Sequence, residues 1–472
     1  MKINFKNNIT LILGLIFVLI LVLCNINNFF FWDTVQLASK HASFYYTTNF
    51  SNLLLPNEID SGHIPTFGIY LAFIWKLFGR TLWISHLAIL PFALGIVIQL
   101  YRLIQKFIPN TYWLFAFFLV LIDPTLLSQI TLVSPDVALV FFFLLGVNAV
   151  LDKNRFMIML ATVFLFLTSM RGMMVSLCLL CLDTYVNILL SDNLKKIALD
   201  FIKRSFTYLP AFLIFVAFSL FHYHERGWIG FHKDSPWADC FEPVGLSGII
   251  RNIGILGWRI LDFGRIGIWL VFFILFFIYR KQILKDEKTR LLLFFFVCTL
   301  VLLPANMLWA NNLIAHRYLM PIYLSFSILC ANILFSDYVK EKLKYTLMIA
   351  WVVIIISGNF WIYPSGISQG WDSTLAHLPY YNLRQNAIEY LDNKEIDLTQ
   401  VASFFPNDSK MDVMDLNGDQ RCFSKFDRNN QYVFYSNIYN VGDEIENGLT
   451  QNYQVIQQFN KNGIFIEILE KK

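Results

Sequence analysis

Apolar stretches of roughly the length that crosses a lipid bilayer recur along most of this 472-residue chain. Inside a bilayer every backbone N–H and C=O must find a partner within the protein, so such stretches fold as helices. We therefore expect an all-α polytopic membrane domain over residues 1–362, with about eleven transmembrane helices. The predicted spans are 9–28, 82–104, 111–131, 136–151, 156–170, 172–190, 206–222, 266–280, 291–310, 318–335 and 345–362.

The first apolar stretch, Ile9 to Cys24, follows Lys2 and Lys6 and has the outline of a signal peptide. The segment after it, Asn25 to Trp32, is bulky and aromatic and contains no small-residue cleavage site. We interpret this stretch as an uncleaved first span.

The run from Phe67 to Phe78 is apolar apart from Lys76, and the distribution of basic residues decides whether it spans. If it does not span and the N-terminus is cytoplasmic, every dense basic loop is inside, as the positive-inside rule requires. Those loops carry Arg102, Lys106, Lys153, Arg155, Lys195, Lys196, Lys203, Arg204, Arg280, Lys281, Lys285, Lys288, Arg290, Lys340, Lys342 and Lys344. We predict that 67–78 is an amphipathic helix on the outer membrane surface, and that 29–81, 223–265 and the region after Tyr363 are external.

Residues 363–472 are more polar than the rest and predict a small α/β domain outside the membrane. Tyr381 to Leu391 has helical spacing, and Val401–Phe405 and Tyr432–Tyr439 have the composition of strands. Val455–Phe459 and Ile464–Leu469 flank Asn-Lys-Asn-Gly, which predicts a hairpin. No feature of the sequence shows whether this domain binds an acceptor or only supports the membrane domain.

Composition and cysteine placement bear on two questions, nucleic-acid binding and cysteine chemistry. Hydrophobic residues make up 57% of the chain, and no basic stretch is interleaved with aromatic residues, so nucleic acid is not an expected partner. The pair Cys178 and Cys181 falls in an apolar run, where a thiol acts as a small hydrophobic group. Cys240 and Cys422 fall in polar segments, and whether they form a disulfide is left open.

Chemistry-bearing side chains collect in the predicted external loops and helix ends. A polar side chain at membrane depth costs free energy, so its presence there indicates a functional role. The candidates are Asp33, Glu58, Asp60, His63, Asp136, Arg171, His222, His224, Glu225, Arg226, His316, Arg317 and Tyr318. Carboxylates, imidazoles and guanidinium groups from distant parts of the chain are thus predicted to meet on one side of the membrane, as an external active site requires.

Two of these acids have distinctive surroundings. Asp33 follows Phe29-Phe30-Phe31-Trp32 at the outer end of the first span, where partial desolvation suits a general base; the alternative is a helix-capping role. The turn Asp60-Ser61-Gly62-His63-Ile64-Pro65 presents an acid and an imidazole that could share a metal or a phosphate. The alternative there is an ordinary loop turn.

Three residues at helix ends also have two interpretations each. Asp136 follows Ser134-Pro135 and is either a first-turn acid favoured by the helix dipole or a site residue. Arg171 and Arg317 lie at outer helix ends, where an arginine either binds a phosphate or extends its charged end to the interface.

Four motifs resemble the GT-C superfamily of membrane glycosyltransferases, in particular the branch with the protein O-mannosyltransferases and the aminoarabinose transferases of lipid A. They are Trp32-Asp33; the stretch 60–68 with Trp75-Lys76-Leu77-Phe78-Gly79 after it; Leu132 to Leu139; and His316-Arg317-Tyr318-Leu319-Met320-Pro321. They are similar to the family's acidic residue in the first external loop, its His-Pro-Pro turn and amphipathic helix, its second acidic motif and its Arg-Tyr-Leu-Pro stretch. The resemblance covers about 1–362.

The sequence departs from the family pattern at two places. Ile64 replaces the first proline of the family's Pro-Pro pair, and Asp33-Thr34 stands where the family often has two acids. The second departure bears on metal ligation, so Asp33, Asp60 and His63 are metal ligands only if a divalent ion takes part.

The resemblance implies transfer of a sugar from a polyprenyl-phosphate donor to an acceptor hydroxyl at the external face of a bacterial cytoplasmic membrane. It implies that Asp33 is the general base of an inverting reaction and that Arg171 and Arg317 hold the phosphate. Asp60, His63 and Asp136 then position the sugar or share a divalent cation. Further candidates for substrate binding are Tyr318, His224 and Arg226. The acceptor, whether lipid, glycan or protein, is left open, and so is retaining chemistry.

Two other functions remain open from sequence. One is a transporter or flippase of lipid-linked sugars, although no internal repeat is visible and the polar residues collect at one face. The other is a glycan polymerase or ligase that uses a diphosphate-linked donor, which favours a more basic loop than Tyr223 to Gly264.

Overall fold

The computed structural model describes residues 8–188, 194–230, 232–235, 237–364 and 366–472, so Lys2, Lys6 and the end of the predicted span 172–190 lie outside it. Nineteen α-helices are found in the described ranges. They are α1 Ile9–Cys24, α2 His41–Thr47, α3 Thr66–Phe78, α4 Leu82–Phe107, α5 Trp113–Leu121, α6 Pro124–Thr131, α7 Pro135–Leu151, α8 Arg155–Thr168, α9 Met170–Ile188, α10 Leu194–Arg226, α11 Ala238–Phe241, α12 Leu246–Leu261, α13 Arg265–Lys285, α14 Glu287–Leu302, α15 Met320–Leu334, α16 Glu341–Ser357, α17 Pro379–Asn393, α18 Met411–Asp415 and α19 Asp443–Asn452.

Six helical segments of the described chain are long and apolar enough to cross a membrane, or seven if one bent pair counts as a single span. They are Leu82–Phe107, Ile197–Arg226, Arg265–Lys285, Glu287–Trp309, His316–Leu334 and Glu341–Phe360, with the pair Asn110–Leu121 and Pro124–Thr131. The predicted number of about eleven is therefore not confirmed. Helices such as α1 and α8, with 16 and 14 residues, end before they reach full spanning length.

The helix α3 contains 13 residues. At 1.5 Å per residue it is about 20 Å long, well short of the roughly 30 Å hydrocarbon layer. Its two faces differ, since Trp75 and Leu71 are buried whereas Phe73 and Phe78 are exposed. These features agree with the predicted amphipathic helix that does not span.

The bend between α5 and α6 measures 66° and has a local cause. Proline begins α6, and the carboxylate of Asp123 caps it by accepting from the N–H groups of Thr125 and Leu126 at 2.9 and 3.2 Å. A proline at the first position and an aspartate before it together start a new helix in a new direction. The uninterrupted span predicted over 111–131 is thus divided at residue 123.

Basic loops from distant parts of the chain meet at one end of the helical bundle. Arg102 and Lys106 both contact the carboxylate of Asp152. Lys288 donates to the carbonyl of Lys106 at 3.0 Å. The loops that carry Lys106, Asp152 and Lys288 therefore share one end, and the membrane orientation itself remains a prediction.

The C-terminal region contains a five-stranded sheet made of β1 Val401–Ser403, β2 Ser424–Lys425, β3 Tyr432–Ser436, β4 Tyr453–Lys461 and β5 Ile464–Lys471. The strand order is β2-β1-β3-β5-β4, with β1 parallel to β2 and β3 and the other pairs antiparallel. The predicted hairpin is confirmed, because Lys461 pairs with Ile464 across a turn in which Asn462 and Gly463 have φ of 51° and 81°. The predicted helix is also present as α17.

The C-terminal region packs directly on the segment that follows α1. The N–H of Phe30 donates to the carbonyl of Met414 at 3.0 Å, and Arg80 pairs with Asp412 at 2.8 Å. The guanidinium of Arg384 lies 4.4 Å from the ring centroid of Phe29. The region therefore helps to fix the backbone beside Asp33, while the boundary at 362/363 remains a prediction. Cys240 and Cys422 are both free thiols.

Candidate functional site

Arg317 is the centre of a cluster of three carboxylates. Its guanidinium contacts the carboxylates of Asp33 and Asp372, and its Nε lies 3.2 Å from Asp136 Oδ2. Its Nη2 also donates to the hydroxyl of Tyr318 at 2.8 Å. The planar guanidinium presents five N–H donors, so a single side chain can hold all three acids. We refer to Arg317, Asp33, Asp136 and Asp372 as the acid–arginine cluster.

Local structure brings each member to this point. Arg317 lies in the 3₁₀ turn His316–Leu319 that leads into α15, and Asp136 lies in the first turn of α7. Asp33 follows Trp32, whose positive φ of 52° turns the chain away from α1. Asp372 lies in a short 3₁₀ turn, Trp371–Ser373, after the last predicted span.

The Asp372 turn is held inside the membrane domain by its backbone. The carbonyl of Asp372 accepts from Ser128 Oγ at 2.7 Å and from Gln129 Nε2 at 2.8 Å. The carbonyl of Ser373 accepts from Thr125 Oγ1 at 3.0 Å. The helix α6, created by the bend at Asp123, therefore supplies the platform for the third acid.

Arg171 extends the cluster towards a cavity. It pairs with Asp136 at 2.6 Å, and its guanidinium carbon lies 3.8 Å from the ring centroid of Tyr318. The cavity encloses about 100 Å³. It is lined by Leu37, Ser61, His63, Ser169, Met170, Arg171, Trp237, Phe241, Asn306, Met307, Leu313 and Tyr318. A mainly apolar cavity with a few convergent polar groups is the usual form of a small-molecule site.

The electrostatics of the cluster favour a basic Asp33. Burial raises the pKa of the Asp33 carboxyl, the neighbouring Arg317 lowers it, and the negative charges of Asp372 and Asp136 raise it again. The net direction is upward from the ordinary value. A carboxylate with a raised pKa is a stronger base, which suits proton abstraction.

Asp60 and His63 occupy the same side of the bundle but are not part of the acid–arginine cluster. Asp60 contacts His222 Nε2 at 3.1 Å and accepts from the N–H of Gly62 at 2.8 Å. His63 lines the cavity, and burial lowers its pKa to about 4, with Arg171 adding to the effect. His63 is therefore a neutral hydrogen-bonding group at neutral pH rather than a cation.

Glycine is required at position 62 for two reasons. Its φ is +72°, and a Cβ there would lie 1.7 Å from the carbonyl oxygen of Gly230. This close approach joins the first loop to the segment after α10. The Asp60–His222 contact thus belongs to an interlock between two loops.

His224 and Arg226 are not brought to the cavity. The side chain of His224 is 82% exposed and its nearest ionic neighbour is Glu225 at 3.8 Å. Arg226 donates to the carbonyl of Leu55 at 2.8 Å, which ties α10 to the first loop. Their expected role in substrate binding remains a prediction without support from these contacts.

The three conditional metal ligands do not converge. Asp33 contacts Arg317, Asp60 contacts His222, and His63 is within reach of Ser61. In the ranges that the structure describes, no three His, Cys, Asp or Glu side chains are placed to hold a metal ion. Asp33, Asp60 and His63 therefore do not fit a divalent ion as arranged.

A second buried network next to the site includes the candidate residue His316, but its other members were missed from sequence. Arg265 pairs with Asp123 at 2.7 Å, and His316 Nε2 lies 2.8 Å from Asp262, whose carboxylate also contacts the hydroxyl of Tyr363. Asp123 could have been recognised from the sequence, since it is an acid inside the predicted span 111–131. Asp372 could not have been recognised, because it lies in a polar segment where acids are common.

No protein-family model matches the chain, and no curated protein is significantly similar to it in sequence. Among solved structures, two crystal structures of ArnT from Cupriavidus metallidurans are similar to it, one bound to undecaprenyl phosphate and one in the apo state. Each similarity covers 97% of both chains, with 11% sequence identity and a TM-score of 0.49. A likeness of this degree identifies no residue role, donor or acceptor.

Proposed function

We propose that this protein is a membrane glycosyltransferase that moves a sugar from a polyprenyl-phosphate donor to an acceptor hydroxyl, with inversion and with Asp33 as general base. The observation that carries the proposal is the acid–arginine cluster beside an apolar cavity. It joins a basic carboxylate, two guanidinium groups and a space for an apolar ligand at one end of a helical bundle.

The two arginines suit the phosphate of the donor. Arg171 lines the cavity. Arg317 contacts the carboxylate of Asp136, which also pairs with Arg171. Guanidinium groups bind phosphate oxygens with charge-assisted hydrogen bonds, and these strengthen as negative charge develops on a leaving phosphate. The pair therefore stabilises the transition state more than the bound donor, which is the requirement for catalysis.

Asp33 then acts on the acceptor. It removes the proton from the acceptor hydroxyl while that oxygen forms a bond to the anomeric carbon. The bond from the anomeric carbon to the phosphate oxygen breaks, and its electron pair leaves with the polyprenyl phosphate. One displacement of this kind inverts the anomeric centre, and the proton ends on the Asp33 carboxylate.

Donor binding and base strength are coupled in this arrangement. A phosphate that engages Arg317 competes with the Asp33 carboxylate for the same N–H donors. When Arg317 turns towards the phosphate, Asp33 loses the positive charge that lowers its pKa and becomes more basic. Donor binding therefore makes Asp33 a stronger base for the acceptor hydroxyl.

The apolar groups around the cavity suit a lipid tail. Leu37, Met307 and Leu313 line its wall. The helix α3, which begins three residues after the cavity-lining His63, exposes the side chains of Phe73 and Phe78. The contacts of Arg102 and Lys106 with Asp152, at the other end of α7 from Asp136, support an external location of the site by the positive-inside rule.

The test is sugar transfer in reconstituted vesicles from radiolabelled polyprenyl-phosphate sugars, with Asp33→Asn as the variant and Asp152→Asn as the matched control. Asp152 is an acid at the opposite end of the bundle, in contact with Arg102 and Lys106. We expect Asp33→Asn to lose transfer by about two or more orders of magnitude, as for loss of a general base, with donor binding retained. Equal transfer in Asp33→Asn and wild type would remove Asp33 as the base. Flipping of a lipid-linked sugar without transfer, for every donor and acceptor supplied, would replace the proposal with a transporter.

A further inference from the structure

We infer that α12 lies flat in the headgroup region of the membrane, with one apolar face turned to lipid. No described part of the chain covers the large side chains of this face, which are Leu246, Ile250, Ile253, Trp258 and Leu261. More than half of the surface of Leu246, Ile250 and Ile253 is exposed. We refer to these five residues as the apolar face of α12. The inference concerns a surface outside the acid–arginine cluster and does not depend on the proposed function.

The sequence of α12 puts apolar and polar side chains on different sides of the helix. At about 100° per residue, the apolar face occupies an arc of about 140°. Asn252 lies on the other side and is buried, and its Nδ2 donates to the carbonyls of Leu308 and Ala310 at 2.9 and 2.8 Å. The helix also contains Arg251 and Arg259 but no acid. Tryptophan and aliphatic residues on one face, with basic residues beside them, are typical of helices that lie in a membrane interface.

The first half of α12 is attached to the end of a membrane span. The N–H of Val244, two residues before the helix, donates to the carbonyl of Trp309 at 2.9 Å. Arg251 Nη2 donates to the carbonyl of Asn311 at 2.6 Å. Because the span Glu287–Trp309 ends at this point, the first half of α12 lies at the depth of that end.

The end of α12 lies beside the start of another span. Only Asp262, Phe263 and Gly264 separate α12 from the span Arg265–Lys285. Phe263 and Gly264 have φ of 52° and 82°, so the backbone turns sharply between the two helices. The helix α12 is therefore a separate element and does not extend the axis of α13.

The last turn of α12 contacts two further spans at the same end of the bundle. The hydroxyl of Tyr323, in the first turn of α15, donates to the carbonyl of Arg259 at 2.9 Å. The ring of Trp258 stacks on that of Tyr363, with centroids 5.2 Å apart, just after the span that contains α16. The two ends of α12 thus lie at one depth. A 16-residue helix, about 24 Å long, can meet that condition only if it runs along the membrane surface.

The surroundings of α12 identify lipid as the partner of its apolar face. The helix that follows, α13, exposes Ile266, Leu270 and Phe277 and is long and apolar enough to cross a membrane. The bilayer that surrounds α13 therefore reaches α12 at the end of that span. Trp258 and Trp309 are both exposed at this level, where tryptophan is enriched in membrane proteins. Two arginines without an acid on the same helix suit the phosphate groups of lipids.

The position of α12 also determines the depth of the cavity lined by Arg171. Met307 lines that cavity and belongs to the turn Met307–Trp309, on which the buried side of α12 packs. Phe241 lines it as well and ends α11, five residues before α12 begins. This side of the cavity therefore lies close to the lipid headgroups.

The experiment is hydroxyl-radical footprinting of the wild-type chain in nanodiscs of phosphatidylcholine and phosphatidylglycerol, with one copy per disc. Radicals form in water, so the oxidation rate of a side chain, corrected for the reactivity of its residue type, measures its access to water. Val455, on the edge strand β4 and as exposed as Ile253, is the water-facing control. Phe277, within α13, is the lipid-facing control. We expect Leu246, Ile250 and Ile253 to be oxidised about ten-fold more slowly than Val455, because lipid covers them.

Oxidation of the apolar face at the rate of Val455 would place this face in water and overturn the inference. Slow oxidation that appears only when each disc holds two copies would also overturn it, because a second copy would then be the partner.

A photoreactive lipid measures the depth of the helix. Phosphatidylcholine with a diazirine beside the headgroup should crosslink to the segment Leu246–Leu261, whereas a diazirine at the end of the acyl chain should not. Crosslinks from the chain end alone, or from neither lipid, would contradict the position in the headgroup region. Neither readout requires sugar transfer, so a failure here is distinct from a failure of the proposed function.

Discussion

The carboxylate of Asp372 contacts the guanidinium of Arg317 across 55 residues of sequence, and it does so beside Asp33. The third acid of the cluster therefore comes from the region predicted to be a separate external domain. Its charge affects Asp33, since after burial and Arg317 it is the next influence on the Asp33 pKa, and it acts upward.

Asp372→Asn should move the acid limb of the pH–rate profile to lower pH. Transfer requires an ionised Asp33, so activity is present above the Asp33 pKa and is lost as the pH falls through it. Removal of the Asp372 charge lowers that pKa, because the negative charge of Asp372 raises it in the wild type. The maximal rate should fall as well, because Asp33 becomes a weaker base. The measurement is kcat against pH in vesicles, and a limb that stays in place or moves upward would contradict the assignment.

Arg171→Lys should raise the KM for the lipid-linked donor by about ten-fold, with a smaller change in kcat. Lysine keeps the positive charge but cannot present two parallel N–H groups to a phosphate, and it loses the stacking on Tyr318. Arg102→Lys is the matched control, since Arg102 lies at the opposite end and its side chain is 41% exposed. A donor KM that changes equally in both variants would show that Arg171 has no specific contact with the donor.

Asp123→Asn should destabilise the protein strongly, by about 3–5 kcal/mol, because it leaves the buried Arg265 without its counter-charge. The double variant Asp123→Leu with Arg265→Met removes both charges and should be more stable than the single variant. Thermal unfolding in detergent measures both. Asp152→Asn is the control for an exposed pair, worth about 0–1 kcal/mol. A single variant no less stable than the double would mean that the pair is not truly desolvated.

Gly264→Ala should lower the unfolding temperature, whereas Gly254→Ala should not. Gly264 has φ of +82°, and a Cβ there would lie 2.2 Å from the carbonyl oxygen of Ile354. The substitution therefore strains the backbone and separates the turn before α13 from α16, at a cost above about 1 kcal/mol. Gly254 lies in the exposed part of α12 with open space around it, and alanine there should stabilise the helix by up to about 1 kcal/mol. Unfolding curves that rank the two variants in reverse order would contradict this local geometry.

The sequence predicted which residues of the candidate site lie together better than it predicted the membrane topology. Asp33, Asp136, Arg171 and Arg317 were expected to meet at one face of the membrane domain, and the structure brings them together. That expectation was possible because charged residues at apolar helix ends are rare and easily recognised. Asp372 was not foreseeable, since an acid in a polar segment carries no comparable signal.

The number of membrane-spanning helices was predicted less well. Hydropathy measures how apolar a stretch is, but it does not show where capping ends a helix. Over 111–131 the apolar character continues through Asp123-Pro124, whereas the aspartate cap and proline begin a new helix at 66°. The secondary structure of the C-terminal region was more predictable, because the alternation and the Asn-Gly turn of the β4–β5 hairpin are local signals.

The contacts of Arg317 also determine when the site can first exist. Its three acids belong to the beginning, the first third and the last quarter of the chain, and Asp372 is the last of them to be synthesised. A nascent or truncated chain that stops before this residue holds Arg317 with two acids and lacks the Trp371–Ser373 turn on α6. Assembly of the complete acid–arginine cluster is therefore a late event of biosynthesis.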